Sequence, residues 1–241
     1  IYEGADEVEA VPYDMLISGG DSDGVSRLRL WRARDTRSFN MGLFTQGQYT
    51  RALEESNNAE IISKVLYPSD NHTEGKLLRL TQQYFLTSAS VQNIIRDHMA
   101  VYRNIETLPD KVAIHINDTH PALVIPELMR ILMDEYFLSW EKAWDITVRT
   151  VSYTNHTVMP EALEKWSEDI FGLKLPRIHM IVKEINERFS REDWSRRSLM
   201  NIAMGGHFAA DRAVTEYADR IWHIHSLAGR ATGAADKKEG K

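Results

Sequence analysis

Short apolar runs alternate with helix-length amphipathic segments between residues 111 and 189, and this order leaves few folds open to the chain. Lys111–Asn117 and Thr150–Tyr153 have the character of short strands, and a helical pattern follows each of them. An order of strand, helix, strand and helix is typical of α/β domains with a largely parallel sheet. The sequence therefore predicts the α/β class.

Prolines and one serine mark the expected helix starts in this region, because proline suits a first helical turn and serine suits the N-cap. The predicted helices begin at Pro121 or Pro126 and end at Tyr136, span Trp140–Arg149 after a Ser139 cap, carry Ala162 to Trp166 after Pro160, and follow Pro176. The last of these is expected to bury one apolar side, formed by Ile178, Ile181, Val182, Ile185 and Phe189.

The N-terminal region predicts a β-hairpin. Val8–Ile17 and Ser26–Ala33 have strand patterns, and Leu28 and Leu30 alternate with arginines as a half-buried strand requires. The glycine-rich segment 19–24 between them lacks the Lys-Ser/Thr ending of a phosphate-binding loop. A hairpin turn is therefore the favoured interpretation.

Two long helices separated by a polar loop are predicted next. Gln46–Leu66 and Glu74–Tyr102 carry apolar residues at helical spacing. In the first, the four-residue pairs are Tyr49 with Leu53 and Ile61 with Val65. The loop from Tyr67 to His72 is rich in residues that favour local side-chain bonds over helix.

The C-terminal residues form a separate region. Trp194–Met204 and Asp211–Trp222 predict two short helices divided by a pair of glycines. From Leu227 onward the chain is dominated by Ala, Gly, Lys and Asp, so a disordered tail is expected.

Composition argues against several classes of partner. The 29 basic and 35 acidic residues are interleaved and give a net charge of −6, so the basic stripe that nucleic acid requires is missing. The chain has no cysteine, which excludes disulfides and thiolate metal sites and fits a reducing compartment. No apolar run approaches bilayer length. We expect a cytoplasmic protein without membrane contact.

Two polar clusters each follow a predicted strand and precede a proline. Asn117, Asp118 and His120 form the first, and Asn155 and His156 form the second. Ligands of parallel sheets bind beyond the carboxyl ends of the strands, so both clusters are expected to line one crevice. Imidazole and carboxylate groups there suit the hydroxyls of a sugar, which both donate and accept hydrogen bonds.

Other interpretations of these clusters stay open on spacing alone. The side chains could be helix caps together with a satisfied buried histidine. A metal site is a further alternative, with His115, Asp118, His120 and His156 as ligands, although no His-Glu-x-x-His helix is present. The polar group Asp70, Asn71 and Glu74 also reads as a solvated loop.

Several short sequence motifs, taken in their order along the chain, are more specific evidence than the spacing of polar residues. Over residues 7–190 the chain resembles the α-glucan (glycogen, starch or maltodextrin) phosphorylases. The motifs that carry the resemblance are Val8–Asp14, Leu28–Trp31, Val65–Pro68, Arg79–Phe85, Ile116–Leu123, Ile125–Arg130 and Tyr153–Glu164. The resemblance implies part of the N-terminal domain of a two-domain, glycosyltransferase-B-like phosphorylase fold.

The resemblance also implies a reaction and a cofactor. The family cleaves α-1,4-glucan or maltooligosaccharide ends with inorganic phosphate to give glucose 1-phosphate. It uses pyridoxal phosphate, whose phosphate group assists proton transfer. Full-length relatives are dimers, so a homodimer is an implied assembly.

Site roles carry over onto the matching positions. By resemblance, His156 contacts the glucosyl unit at the catalytic site, and Asp118, His120 and Glu164 line the pocket beside that sugar. The segment 67–74 resembles a mobile gate loop whose Asp70 and Asn71 face the sugar. Arg79 matches an arginine near the phosphate region. His72 stands where the family often has an aromatic residue.

The C-terminal region resembles the extreme C-terminus of the same family, through Trp194, Ser198–Ala203, Phe208–Arg212 and Glu216–Trp222. The expected domains are therefore a partial glucan-facing domain over 1–190, C-terminal tail helices over 193–226 and a disordered tail over 227–241, with a junction near 190–193. The Gly-Asn-Met-Lys word that holds the cofactor lysine does not occur. We accordingly expect an internally deleted and N-terminally truncated form that is inactive alone, as a glucan-binding or subunit-interacting fragment or a product without a function.

Overall fold

The computed structural model describes residues 7–21, 23–36, 40–156, 159 and 163–189. The contacts of the chain divide it into two units, residues 1–184 and 185–241, and the second is described only as far as residue 189. The helices expected near 194–204 and 211–222 and the expected tail lie outside the described residues.

The described chain contains both strands and helices. In order they are β1 Val8–Ser18, β2 Val25–Asp35, α1 Met41–Thr45, α2 Tyr49–Lys64, α3 Thr73–Tyr102, a 3-10 turn Ile105–Thr107, α4 Leu108–Lys111, β3 Ile114–Asn117, α5 Val124–Asp134, α6 Trp140–Thr150, β4 Val151–Thr154, α7 Glu168–Lys174 and α8 Pro176–Arg188. The predicted α/β class is confirmed.

The predicted hairpin is present, but its buried face is the opposite of the expected one. β1 and β2 pair antiparallel, and Gly19 N donates to Gly24 O across the turn. Leu28 and Leu30 are 48% and 60% exposed, whereas Ala33 on the other face of β2 is fully buried. That face packs on the helices, since Trp31 Nε1 donates to Ser90 Oγ of α3 and the Ala33 N–H donates to Ser63 Oγ of α2.

Helix α2 likewise buries a different side from the one its apolar spacing suggests. Its buried apolar residues are two alanines and one isoleucine, Ala52, Ala59 and Ile62. The four-residue stripe stays exposed, and comprises Tyr49, Leu53, Ile61 and Val65.

Helix α3 is the longest element and contacts α2, α5 and α7. It begins where His72 Nδ1 accepts from the Gly75 N–H and ends at Arg103, whose left-handed φ of 53° closes the last turn. Of its apolar residues at helical spacing, Leu80, Val91 and Ile95 are buried. No described helix, α3 included, is long and apolar enough to cross a bilayer.

The parallel pairing predicted for this region is present, with a shorter first strand than expected. Among the described residues the parallel sheet consists of β3 and β4 alone, which pair parallel with Ile116 opposite Tyr153. β3 begins at Ile114 because the preceding residues, up to Lys111, form α4. The described part is a mixed α/β structure with two small sheets.

Two helix predictions near the C-terminal end of this part need correction. Residues 163–167 are not helical, although a helix carrying Ala162 to Trp166 was expected. The helix begins later, at Glu168, because Ser167 caps it by accepting from the Ile170 N–H. In α8, Ile178 and Ile181 are buried as predicted, but Val182 and Phe189 are 38% and 36% exposed.

A buried carboxylate joins α3 to α5. Glu127 is fully buried and accepts from Arg130 Nε and Nη2, both at 2.8 Å. It also accepts from Tyr84 OH at 3.0 Å and Ser88 Oγ at 2.6 Å, both on α3. Arg130 Nη1 reaches Glu135 at 2.9 Å. A carboxylate with four donors meets the requirement that a buried charge be paired and hydrogen-bonded.

Removing the cation of this network should destabilise the fold. We expect Arg130→Met to lower the free energy of unfolding by about 3 kcal/mol, because Glu127 is left buried without a counter-charge. Lys142→Met is the matched control. It breaks a lysine–Glu106 pair whose side chains are 61% and 53% exposed, so its loss should stay below about 1 kcal/mol. Urea unfolding followed by circular dichroism measures both, and equal losses would contradict the assignment.

Candidate functional site

The polar loop from Tyr67 to His72 is held against the start of α3. Gly75 is buried, and a Cβ built on it would lie 1.8 Å from the carbonyl oxygen of Ser69. Only glycine allows this approach of loop and helix. The loop therefore has a defined position, which places Asp70 beside Arg79 with a distance of 3.4 Å between Oδ2 and Nη1.

Arg79, Glu164, His120 and Asp70 surround one open cleft of about 290 Å³. Arg79 Nη2 donates to Glu164 Oε1, and His120 Nε2 lies 3.7 Å from the same oxygen. The second oxygen, Oε2, accepts from Gln83 Nε2 at 2.8 Å. The side chains of Glu164 and Arg79 are 13% and 22% exposed, so their attraction is screened less than that of a surface pair.

An aromatic ring stands at the edge of this cleft. The Tyr67 ring meets the His120 ring edge to face, with centroids 5.8 Å apart. The Arg79 guanidinium lies 5.5 Å from the Tyr67 ring centroid, within cation–π range. His72 instead caps α3, and a second aromatic side chain, Trp166, lines the cleft itself.

Asp118 and His156 lie at the carboxyl ends of β3 and β4. Asp118 follows β3 with a left-handed φ of 69°, and its N–H donates to the carbonyl of Thr154 on β4. His156 Nε2 is hydrogen-bonded to Asn117 Oδ1. The two polar clusters thus lie side by side at the ends of the two parallel strands.

The turn after β3 favours the charged form of Asp118. The Thr119 N–H donates to Asp118 Oδ1 at 2.6 Å and lowers the pKa of this carboxyl below its ordinary value of 3.8. Desolvation opposes this shift, whereas the Thr119 hydroxyl, His120 and His156 add to it. Asp118 is therefore an anion at neutral pH, able to accept hydrogen bonds.

The metal alternative gains no support from the described part of the chain. No group of three or more of its His, Asp or Glu side chains is arranged to hold a metal ion. His115 Nε2 is bonded to Thr154 Oγ1 at 2.6 Å, beside the strand pair.

The structure brings some of the predicted residues together and leaves others apart. Asp70, Arg79, His120 and Glu164 line the cleft, whereas Asp118 and His156 lie at the strand ends next to it and Asn71 is exposed in the loop. The sequence analysis gives no role to Gln83, and it names Tyr67 only as the first residue of the gate-loop segment. Gln83 follows Arg79 by four residues on a predicted helix, and this spacing could have shown that both face the same way.

Comparison with known proteins shows the family of the chain. A family model described as "Phosphorylase: Carbohydrate phosphorylase" matches residues 1–193 and 190–224. The chain belongs to the carbohydrate phosphorylase family. The family resemblance inferred from the sequence motifs is thereby confirmed. The two segments of this chain that match the family model meet at residues 190–193.

Curated phosphorylases are similar over most of the chain. "Glycogen phosphorylase" of Bacillus subtilis is 47% identical over 211 residues, which cover 86% of this chain and 25% of that protein. "Glycogen phosphorylase, muscle form" of Homo sapiens is 50% identical over 190 residues, 76% of this chain and 23% of its own length. "Glycogen phosphorylase" of Chlamydia pneumoniae is 46% identical over 207 residues, with shares of 83% and 25%. The chain spans about a quarter of the length of these relatives.

The close approach at Gly75 predicts a sensitive position. Gly75→Ala should lower the free energy of unfolding by about 1–3 kcal/mol, because the added methyl group meets backbone that must shift. This net loss already includes the gain in helix propensity of about 1 kcal/mol, since backbone 1.8 Å from the new atom has to move. Gly20→Ala is the control, since a Cβ there meets nothing within 4 Å. Thermal or urea unfolding compares the two, and an unchanged Gly75→Ala protein would contradict the prediction.

The lowered pKa of Asp118 predicts a pH-dependent contribution to stability. A folded-state pKa below the unfolded value means that the contribution is present above 3.8 and is lost as the pH falls through the folded value. Asp118→Asn keeps a residue that tolerates positive φ but removes the charge. The stability difference between the two proteins should be largest at neutral pH and shrink in acid. A pH-independent difference in urea unfolding would show that the charge is not responsible.

Proposed function

We propose that this chain provides the glucan-contacting wall of an α-glucan phosphorylase, the enzyme class that cleaves α-1,4-glucan ends with phosphate to give glucose 1-phosphate. The observation that carries the proposal is the cleft in which the carboxylate of Glu164 is fixed between Arg79 and His120. Family membership supplies the substrate class, and the cleft supplies the groups that a sugar requires.

The cleft offers both types of partner that a sugar hydroxyl needs. Glu164 and Asp70 accept hydrogen bonds, and each carboxylate oxygen has lone pairs beyond those used within the protein. His120 can donate or accept according to its tautomer. Tyr67 adds an apolar face at the cleft edge. In this proposal Asp118, His156 and Asn71 extend the same surface along the strand ends and the loop, with His156 contacting the reacting glucosyl unit.

The described residues do not fit the pyridoxal phosphate that the family resemblance implies. A Schiff-base lysine is activated by desolvation or by neighbouring cations. All lysines of the described ranges are exposed, including Lys76 and Lys165 at the cleft. The cleft arginine, Arg79, is already bonded to two carboxylates. We therefore propose no reaction step through this group, and a phosphate bound at Arg79 would have to compete with Glu164 and Asp70.

The domain organisation proposed with this function has two parts. Residues 1–190 form the partial glucan-facing domain, and residues 193–226 correspond to C-terminal tail helices of the family. Two matched segments that meet at 190–193 support a junction there. Developing charge on phosphate must be met by positioned cations, and the cleft arginine, Arg79, is already bonded to two carboxylates. We therefore propose that this chain binds glucan without turning it over.

Glucan binding is tested with the whole chain and maltoheptaose. Titration followed by nuclear magnetic resonance should show saturable binding with a dissociation constant of the order of 1 mM, typical of a shallow polar site. His156→Ala should weaken binding about tenfold if this side chain contacts the sugar. His115→Ala, an exposed histidine on the adjacent strand, is the matched control and should bind as the unaltered chain does. Absence of binding by the unaltered chain would overturn the proposal.

Catalysis is tested separately. The chain is incubated with maltoheptaose, phosphate and pyridoxal phosphate, and glucose 1-phosphate is measured. We expect none above a protein-free blank. Formation of glucose 1-phosphate that is lost in His156→Ala would overturn the proposed separation of binding from turnover.

A further inference from the structure

Glu164 is held at both carboxylate oxygens from one face of α3. Arg79 donates to Oε1 and Gln83 donates to Oε2, the latter at 2.8 Å. Side chains four residues apart on a helix lie next to each other, so the two donors form a fork that matches the carboxylate. Glu164 itself lies in residues 163–167, outside any helix or strand. Its orientation therefore depends on side-chain contacts rather than on a regular backbone.

We infer that Gln83 is a positioning residue of the glucan site, which sets the plane of the Glu164 carboxylate by fixing its second oxygen. The inference rests on the proposed glucan-binding function of the cleft. A single bond to Arg79 would leave the carboxylate free to rotate about its terminal torsion, because such torsions are broad. With two donors on two oxygens, one orientation is selected.

The side-chain amide of Gln83 is uncharged, which suits a residue that positions the Glu164 carboxylate. Arg79 already balances the charge of Glu164 and is shared with Asp70 at 3.4 Å. A second cation would bind the carboxylate more strongly and compete with a ligand for its lone pairs, whereas an amide satisfies one oxygen without adding charge. The remaining lone pairs of Glu164 are then oriented to accept from uncharged hydroxyls.

Two substitutions separate positioning from general stability. Gln83→Met keeps the approximate length of the side chain and removes the donor, so maltoheptaose affinity should fall about fivefold at every pH. Gln83→Glu replaces the donor with a carboxyl group that can donate only when protonated. Its affinity should fall by about tenfold or more at pH 7.5 and recover at pH 5, because two ionised carboxylates repel each other in the cleft.

The controls account for other charged groups near the fork. Arg79, Asp70 and His120 also face Glu164, so each variant is compared with the unaltered chain at the same pH. Val101→Glu adds the same charge on α3 at a side chain that is 70% exposed, about 27 Å away by helical rise. Its affinity should follow that of the unaltered chain at both pH values. Equal pH dependence in Gln83→Glu and Val101→Glu would overturn the inference.

A measurement without ligand separates this inference from the proposed function. The side-chain amide resonance of Gln83, assigned from its loss in Gln83→Met, should shift in Glu164→Gln when the charged acceptor is removed. An unchanged resonance would overturn the positioning role, whether or not maltoheptaose binds. If the resonance shifts but the unaltered chain binds no maltoheptaose, the contact stands, and the glucan function fails together with the role of Gln83 in it.

Discussion

The buried charge of Glu127 is the interaction on which the arrangement of the cleft depends. It ties α5 to α3 through donors from both helices. The turn that carries Asp118 and His120 leads directly into α5, and Arg79 lies on α3. The position of His120 relative to Arg79 is therefore set by a network of directional bonds as well as by apolar packing. A buried carboxylate accepts few alternative arrangements, because a displaced helix would leave it without its donors.

The cleft is assembled from segments far apart in sequence. The loop before α3, α3 itself and the turn after β3 each contribute one or two side chains, and residues 163–167 with Ile170 of α7 contribute the rest. Charges of both signs line it, since Asp70 and Glu164 stand with Arg79, Lys76 and Lys165, and Arg79 is bonded to both carboxylates. A cleft of mixed charge with spare acceptor positions suits an uncharged polyhydroxyl ligand better than a free anion. The proposal of a glucan-contacting wall rather than a phosphate site rests on this mixture of charges.

Much of this structure could be predicted from local sequence. The hairpin, α3 and the proline-marked α8 were predicted because turn residues, apolar spacing and proline act within a few neighbouring residues. The burial of β2 and α2 was predicted less well. Both faces of β2 carry apolar side chains, and the choice between Leu28 and Trp31 was made by the helices that pack on it. The prediction of a helix before α7 was wrong for a similar reason. The bonds from Arg79 and Gln83 to Glu164, together with the Ser167 cap, hold residues 163–167 in a non-helical conformation.

The sequence by itself determined the family, through motifs whose residues and order are specific to it. It also determined which residues are chemically suited to a sugar. It also determined the helix and strand types wherever local patterns were long. Only the tertiary structure decided which carboxylate faces which cation, which apolar faces are covered, and that Gln83 belongs with Glu164. These relations join residues up to 85 positions apart. They depend on packing and on hydrogen-bond geometry, which are properties of the folded chain and leave no periodic trace in the sequence.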